Sequence, residues 1–452
     1  METVLIILQL AVVLACLLVG AHRGGMGLGL IGGIGLVILV FVFRLPPGEP
    51  PIQVMLTIIA VIGCASVLQT AGGLDVLMRV AERVLRRHPQ HVTILGPMTT
   101  WTLTVLCGTG HVVYTMLPII ADIALKKNIR PERPMAISSV AAQMGITASP
   151  VSVAVVSMAS ILAERAGAGQ AFSIPQILMV SLPASLCGVL VAALWSIRRG
   201  KDLDDDPVFQ ARIADPKMRD YVYSGGTTLL DTESPKSAYR STAIFFTAIA
   251  IVVVLGAFEA LRPSFPTEAG TMAPLSMNLT IQMIMLFAGA LILMFCEVKS
   301  ADIPNSGVFK AGMVALFAVF GVAWMSETFF GAHLVALEGV LAGVVAEAPW
   351  MYALVLFVVS KLVNSQAAAI TAIVPVGLQL GVDPVAIVGF IGAGYGYFIL
   401  PTYPSDLAAI GFDRSGTTHI GRFVINHSFL VPGLICVGVS CLIGYPLAHL
   451  VL

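Results

Sequence analysis

Apolar runs long enough to cross a hydrocarbon layer recur along this chain, and segments of that kind are not stable in water. A layer of about 30 Å takes about 20 helical residues. Runs near that length stand at 4–21, 26–43, 52–72, 135–163, 175–197, 241–258, 275–296, 308–330, 384–411 and 423–448. Inside lipid only helices and closed barrels satisfy every backbone N–H and C=O, and these runs are helix-length. The expected fold class is therefore an all-α polytopic membrane protein with about ten transmembrane helices. Composition agrees, with 57% of residues hydrophobic and 11% charged, where soluble domains carry about a quarter charged. The net charge of zero gives no sign of a nucleic-acid partner. The opening METVLIILQLAVVLACLLVG is acidic before its apolar core and reads as a first span, not a cleaved signal. All seven cysteines lie in apolar stretches without a CxxC pair, which argues against a disulfide framework and a zinc site. Gly27, Gly29 and Gly32 spell GxGxxG, but no soluble βαβ unit surrounds them, and Gly25, Gly29 and Gly33 have the spacing of close helix packing.

Two further apolar regions are interrupted. Region 92–125 breaks at Cys107–His111 and region 350–380 at Val363–Gln366, and each arm is too short to span. Basic residues decide how such arms thread, because they collect on the cytoplasmic side. Arg79, Arg83, Arg86 and Arg87 precede the first region, and Lys126, Lys127, Arg130 and Arg133 follow it, so both flanks want the cytoplasm. No Lys or Arg lies between Phe330 and Trp350, so the second region enters from the opposite face. Threading the spans around two re-entrant hairpins leaves three of the 25 basic residues outside (Arg44, Arg165, Arg262) and one, Lys361, within a hairpin arm. Both termini then face the periplasm. The same threading divides the chain into an inverted repeat: 1–197 with hairpin 92–125, a charged cytoplasmic linker 198–240 with short helical pieces, and 241–452 with hairpin 350–380. Such repeats are built into many secondary transporters.

Irregular backbone at membrane depth survives only where protein buries it or where it lines a wet cavity. Four segments qualify: the tips Cys107–His111 and Asn364–Gln366, and the breaks Ile146–Ser152 and Leu400–Asp406. Each half-helix that follows starts with free N–H groups worth about half a positive charge, which together suit a dianion, while the preceding C-terminal ends suit a cation. The candidate substrate-binding residues are Thr109, Gly110, His111, Ser149, Pro150, Ser152, Asn364, Ser365, Gln366, Thr402, Tyr403, Pro404 and Ser405. Against this, Pro150, Pro401 and Pro404 also fit plain kinks, and the hydroxyls also fit bonding back to their own helix. Ionisable groups in the membrane are functional candidates. Lys361 suits charge compensation or a snorkelling or paired lysine, Asp406 binding of H+ or Na+ or simple capping, and His111 substrate contact or structure. No nucleophile and base pair and no metal cluster is apparent, so neither an enzyme nor a cofactor is expected. A passive anion channel stays open as an alternative.

The strings LCGTGHVVYTMLPII, RPERPMAISSVAAQMGITASPVSVAVVS, SKLVNSQAAAITAIVPV and LPTYPSDLAAIGFDRSGTTHIGRFVINHSF resemble those of the anaerobic four-carbon-dicarboxylate (Dcu) transporter family, closest to its fumarate/succinate-exchanging branch. The resemblance runs nearly end to end. It implies a bacterial inner-membrane carrier of fumarate, succinate, malate or aspartate, with fumarate/succinate antiport in anaerobic respiration as the expected task, and cation- or proton-coupled uptake or efflux as the alternative. Looser similarity of paired hairpins to elevator-type anion transporters implies a homodimer with a scaffold (spans 1 to 3 and 6 to 8) and a moving part made of the hairpins and the other spans.

Overall fold

The computed structural model describes residues 2–23, 26–50, 52–165, 172–223, 228–230, 234–266, 272–329, 331–333, 348–401, 403–421 and 426–452. Thr402, Gly25 and most of the stretch between Phe330 and Trp350 lie outside them. The chain is mostly helical. The first half contains α1 (Glu2–Arg23), α2 (Gly27–Val37, continued by a π turn, Ile38–Val42), α3 (Ile52–Thr70), α4 (Gly73–Arg87), α5 (Val92–Cys107), α6 (Val113–Lys126), α7 (Glu132–Met144), α8 (Val153–Arg165) and α9 (Ile174–Ile197). Short helices α10 (Pro207–Ile213) and α11 (Pro216–Tyr223) lie in the linker. The second half contains α12 (Lys236–Ala257), α13 (Met277–Phe295), α14 (Gly307–Ala318, continued by a π turn, Val319–Ala323), α15 (Trp350–Val363), α16 (Gln366–Gln379), α17 (Pro384–Gly389), α18 (Pro404–Phe412) and α19 (Leu430–Val451). Between α12 and α13, Ser264–Pro266 and Met272–Pro274 pair antiparallel, so a small hairpin qualifies the all-α expectation.

Among the described residues, five helices are long and apolar enough to cross a membrane, and α3 with α4 makes a sixth candidate bent by 69°. Their burial differs sharply. The stretch Glu132–Glu164 is 78% buried, whereas Met277–Phe295 and Leu430–Val451 are each 28% buried. The broken α7–α8 rod is thus interior, and α13 and α19 lie at the edge. Packing follows two groups. α1, α2, α3, α12, α13 and α14 pack on one another, while α5, α6, α7, α9, α17 and α19 form the second group, joined to the first where α8 meets α3, where α16 meets the π turn after α14, and through α4.

Two boundaries differ from the hydropathy reading. The span placed at 384–411 is irregular from Phe390 to Pro401, with 3-10 turns at Ile391–Gly394 and Tyr397–Ile399. The final helix starts at Leu430, after the start expected at 423. Its polar approach is fixed elsewhere: His427 Nε2 lies 3.0 Å from Ile399 O, and the Ser428 hydroxyl donates to Glu132 at 2.7 Å. The linker also has partners of its own. Arg130 pairs with Asp206 at 2.5 Å, Arg133 with Asp202 at 2.6 Å, and Leu203, Phe209 and Val222 cluster with Leu125. Burial pushes the Asp206 carboxyl up, but the N–H groups of Val208 and Phe209 and the Arg130 guanidinium outweigh it and hold it below the usual carboxylate range.

Candidate functional site

Each hairpin turns on two residues with opposite backbone demands. In the first, α5 is closed by Gly108 at φ +74°, after which Thr109 is extended (φ −143°, ψ 137°) and its hydroxyl accepts from His111 N at 3.3 Å. In the second, α15 is closed by Asn364 at φ +50°, after which Ser365 is extended (φ −154°, ψ 125°) and accepts from Ala368 N at 3.3 Å. Glycine and asparagine are the residues that tolerate the left-handed region, and Ser and Thr are good N-caps. Glycine is required at 108, since a Cβ there would stand 2.8 Å from Val151 O.

The two breaks share a plan as well. A 3-10 turn (Gly145–Ala148 or Tyr397–Ile399) leads to an extended residue, Ser149 (φ −99°, ψ 128°) or Leu400 (φ −113°, ψ 127°). Pro150 or Pro401 follows, and proline disfavours helix at the preceding residue. The chain then resumes as α8 or α18.

Both tips and the second break meet along one face of α7, at Ser139 and Gln143, one turn apart, while the first break lies against the first tip, where Val151 crowds Gly108. The Tyr397 phenol donates to Gln143 Oε1 at 2.8 Å, and Gln366 Nε2 donates to Gln143 O at 2.8 Å and approaches Tyr397 Oη at 3.4 Å. Gly110 lies so close that a Cβ would stand 2.6 Å from Gln143 Nε2. One turn earlier, Ser139 Oγ donates to Asp406 Oδ1 at 2.7 Å and sits 2.8 Å from Ser405 Oγ. Lys361 Nζ donates to Asn364 Oδ1 at 3.1 Å, to Tyr397 O at 3.2 Å and to Leu400 O at 3.3 Å, joining the second tip to the second break. A cation is favourable against the carbonyl end of a turn.

The expected residues divide by exposure and by partner. Ser149 and Ser152 are fully buried and bond locally, Ser149 accepting from Val151 N at 3.3 Å in the turn before α8 and Ser152 from Val155 N at 3.2 Å as the cap of α8. Ser405, Asp406 and Gln366 are buried at the α7 face. Asp406 accepts from Ser139 across the fold, which is not a cap on its own helix. Thr109, Asn364, Ser365, Tyr403 and Pro150 are partly exposed, and Pro404 and His111 are exposed. His111 Nδ1 lies 2.6 Å from Thr109 Oγ1, and the Tyr403 ring is 4.4 Å from that of Tyr397. Ser139, Gln143 and Tyr397 are absent from the expected set. Their signal was present: two polar residues four apart in the run 135–163, and a tyrosine beside Gly396.

A family described as the anaerobic C4-dicarboxylate membrane transporter matches residues 5–452. The chain belongs to this transporter family. It is 58% identical to the anaerobic C4-dicarboxylate transporter DcuB of Escherichia coli O6:H1, over 97% of each chain. To the C4-dicarboxylate transporter DcuA of Wolinella succinogenes it is 37% identical, over 99% of this chain and all of that one. The family and these relatives are transporters, not enzymes. Among solved structures, Neisseria gonorrhoeae MtrF aligns with a TM-score of 0.56 at 14% identity, covering 98% of this chain and 94% of that one, a likeness of fold. In this family member Ser139 and Gln143, which the two tips and the second break contact, lie on Glu132–Glu164, the most buried candidate span among the described residues.

Proposed function

We propose that the chain is a secondary transporter of C4-dicarboxylates, with fumarate/succinate antiport in anaerobic respiration as its task. Family membership supports the substrate class, and the observation that carries the site is the meeting of the two tips and the second break on Ser139 and Gln143, with the first break packed against the first tip. The substrate carboxylates are received by the N-terminal ends of α6, α8, α16 and α18 and by the partly exposed donors Thr109, His111, Asn364, Ser365 and Tyr403. Gln366 and Ser405 hold those donors in place from behind. Lys361 offsets substrate charge. Asp406, whose Oδ2 has no hydrogen-bond partner among the described residues, is where a coupled H+ or Na+ is held.

The matching plan of the two tips and of the two breaks supports an inverted repeat of 1–197 and 241–452 around the linker. In this reading ten spans and two re-entrant hairpins cross the bacterial inner membrane with both termini periplasmic, and the packing groups correspond to an elevator's scaffold and moving part in a homodimer. Cysteines placed at 88 and 128 label from the same, cytoplasmic side; labelling from opposite faces removes the first hairpin.

Counterflow in proteoliposomes tests the function. Internal succinate drives saturable uptake of labelled fumarate, and butyrate competes at least about ten times less well than succinate, since four helix ends match two carboxylates better than one. Absence of exchange, or equal competition by butyrate, overturns the proposal.

A further inference from the structure

The 69° bend between α3 and α4 turns α4 sharply away from the line of its neighbour. Gly72, at φ +78°, makes the corner. One side of α4 is committed to protein. Leu74, Met78, Ala81 and Leu85 are buried, Thr242 Oγ1 donates to Gly73 O at 3.2 Å, and the buried Glu82 accepts from Arg86 and from Leu229 N, both at 2.7 Å. Arg86 also reaches Asp122 at 3.3 Å. The opposite side holds Val80, Arg83, Val84 and Arg87, at the three- and four-residue spacings that put side chains on one helix face. Val80 is 53% exposed and Val84 40%, and Arg83 and Arg87 are exposed, with no ion pair among the described residues. His88 follows, exposed as well.

A face that alternates bare valines with unpaired guanidinium groups suits neither water nor hydrocarbon alone. It suits the boundary between them, where the aliphatic groups enter the acyl region and the cations reach phosphates. Two guanidinium groups one turn apart can share one phosphodiester, which a planar fork binds in bidentate fashion.

We propose that this face of α4 is a binding site for the phosphodiester of an anionic phospholipid, with Arg83 and Arg87 as its ligands and Val80 and Val84 seating the acyl chains. The site is independent of the substrate site and of the direction of threading. α4 links α3 and α12 on one side to α5 and α6 on the other, so a lipid held here braces the joint between the two packing groups.

Thermal unfolding of the purified full-length protein in neutral detergent tests this without any transport readout. Added phosphatidylglycerol raises the midpoint by several degrees more than phosphatidylcholine of the same chains, because a ligand bound to the folded state stabilises it. The excess shrinks as salt rises. It disappears in R83Q/R87Q and survives in part in R83K/R87K, whose ammonium groups keep the charge but lose the fork. It is unchanged in K217Q/R219Q, which removes the same charge from exposed positions of α11. Native mass spectrometry gives a second reading, with fewer phosphatidylglycerol molecules retained by R83Q/R87Q than by the parent. A parent protein without preference, or a preference that persists in full in R83Q/R87Q, overturns the proposal.

Discussion

The first hairpin tip and the second follow one backbone plan and are finished with different chemistry. Gly108 and Asn364 occupy the left-handed position, and Thr109 and Ser365 the extended cap that follows. At Gly108 the chain of the first break crowds in, leaving no room for a side chain. At Asn364 there is room, and the carboxamide accepts from Lys361. The breaks differ likewise. The first is short and neutral, and the second is long and aromatic and carries Asp406, while Lys361 stands beside it. The first half of the chain supplies a close-packed neutral platform and the second half supplies the charges.

The largest effect that distinguishes the tips is expected at Gly108. Alanine there meets about 1–2 kcal/mol of left-handed strain and an overpacking cost of about 1–3 kcal/mol against a backbone oxygen, so Gly108→Ala lowers the thermal midpoint strongly and loses succinate binding. Asn364→Ala bears similar strain with the Lys361 bond lost, and Asn364→Gly loses the bond alone. The order of damage is Gly108→Ala, Asn364→Ala, Asn364→Gly. Equal midpoints for the first two, read by unfolding in detergent, remove the steric half of the comparison.

The next effect falls where the two halves of the chain touch. Gln143→Leu leaves the Tyr397 phenol without its acceptor, at a cost of about 1–3 kcal/mol for a buried group, and displaces the support behind Gly110. Succinate affinity falls about tenfold, which is about 1.4 kcal/mol. Removing both partners costs less than removing one, so Gln143→Leu with Tyr397→Phe recovers part of the loss. A strictly additive pair places the two groups in separate networks.

How much of this was open to reading depends on what each residue answers to. Spans, tips and breaks are local facts, written in run length, in Pro150 and Pro401, and in the capping residues Thr109 and Ser365. The partners of Gln143 and Ser139 are not local: they lie more than two hundred residues away, on Gln366, Tyr397, Ser405 and Asp406. A polar residue in an apolar helix signals some partner without naming it. The last helix starts later than its hydropathy predicts for the same reason: the sequence from Phe423 to Phe429 is apolar enough to read as part of a span, while His427 and Ser428 are bound elsewhere. For Asp406 the sequence leaves capping and coupling both open, and its bond from Ser139 is a partner that the sequence does not name.

A smaller effect concerns the caps, and it tests whether the tips are equivalent where their chemistry looks alike. Ser365→Ala and Thr109→Ala each lose one N-cap, worth about 1 kcal/mol, whereas Ser365→Gly loses only a few tenths. Succinate affinity, measured by binding, falls about fivefold in both alanine variants. A loss confined to Ser365→Ala assigns the substrate to the second tip alone.

The smallest effect is expected outside the site, at a second glutamine in an apolar helix. Gln282 of α13 donates to Thr57 Oγ1 of α3 at 2.9 Å, a bond within the packing group that contributes none of the four irregular segments. Gln282→Ala gives up one neutral hydrogen bond, about 1 kcal/mol of stability, and its thermal midpoint falls slightly. Its affinity for succinate stays within about twofold of the parent, because sites that share no partner behave independently. Combining it with Gln143→Leu therefore gives the sum of the two separate losses in stability and the affinity of Gln143→Leu alone. A drop in affinity at Gln282→Ala as large as at Gln143→Leu means that polar groups at membrane depth affect binding wherever they lie. The contrast between a neutral platform and a charged half then no longer locates the substrate.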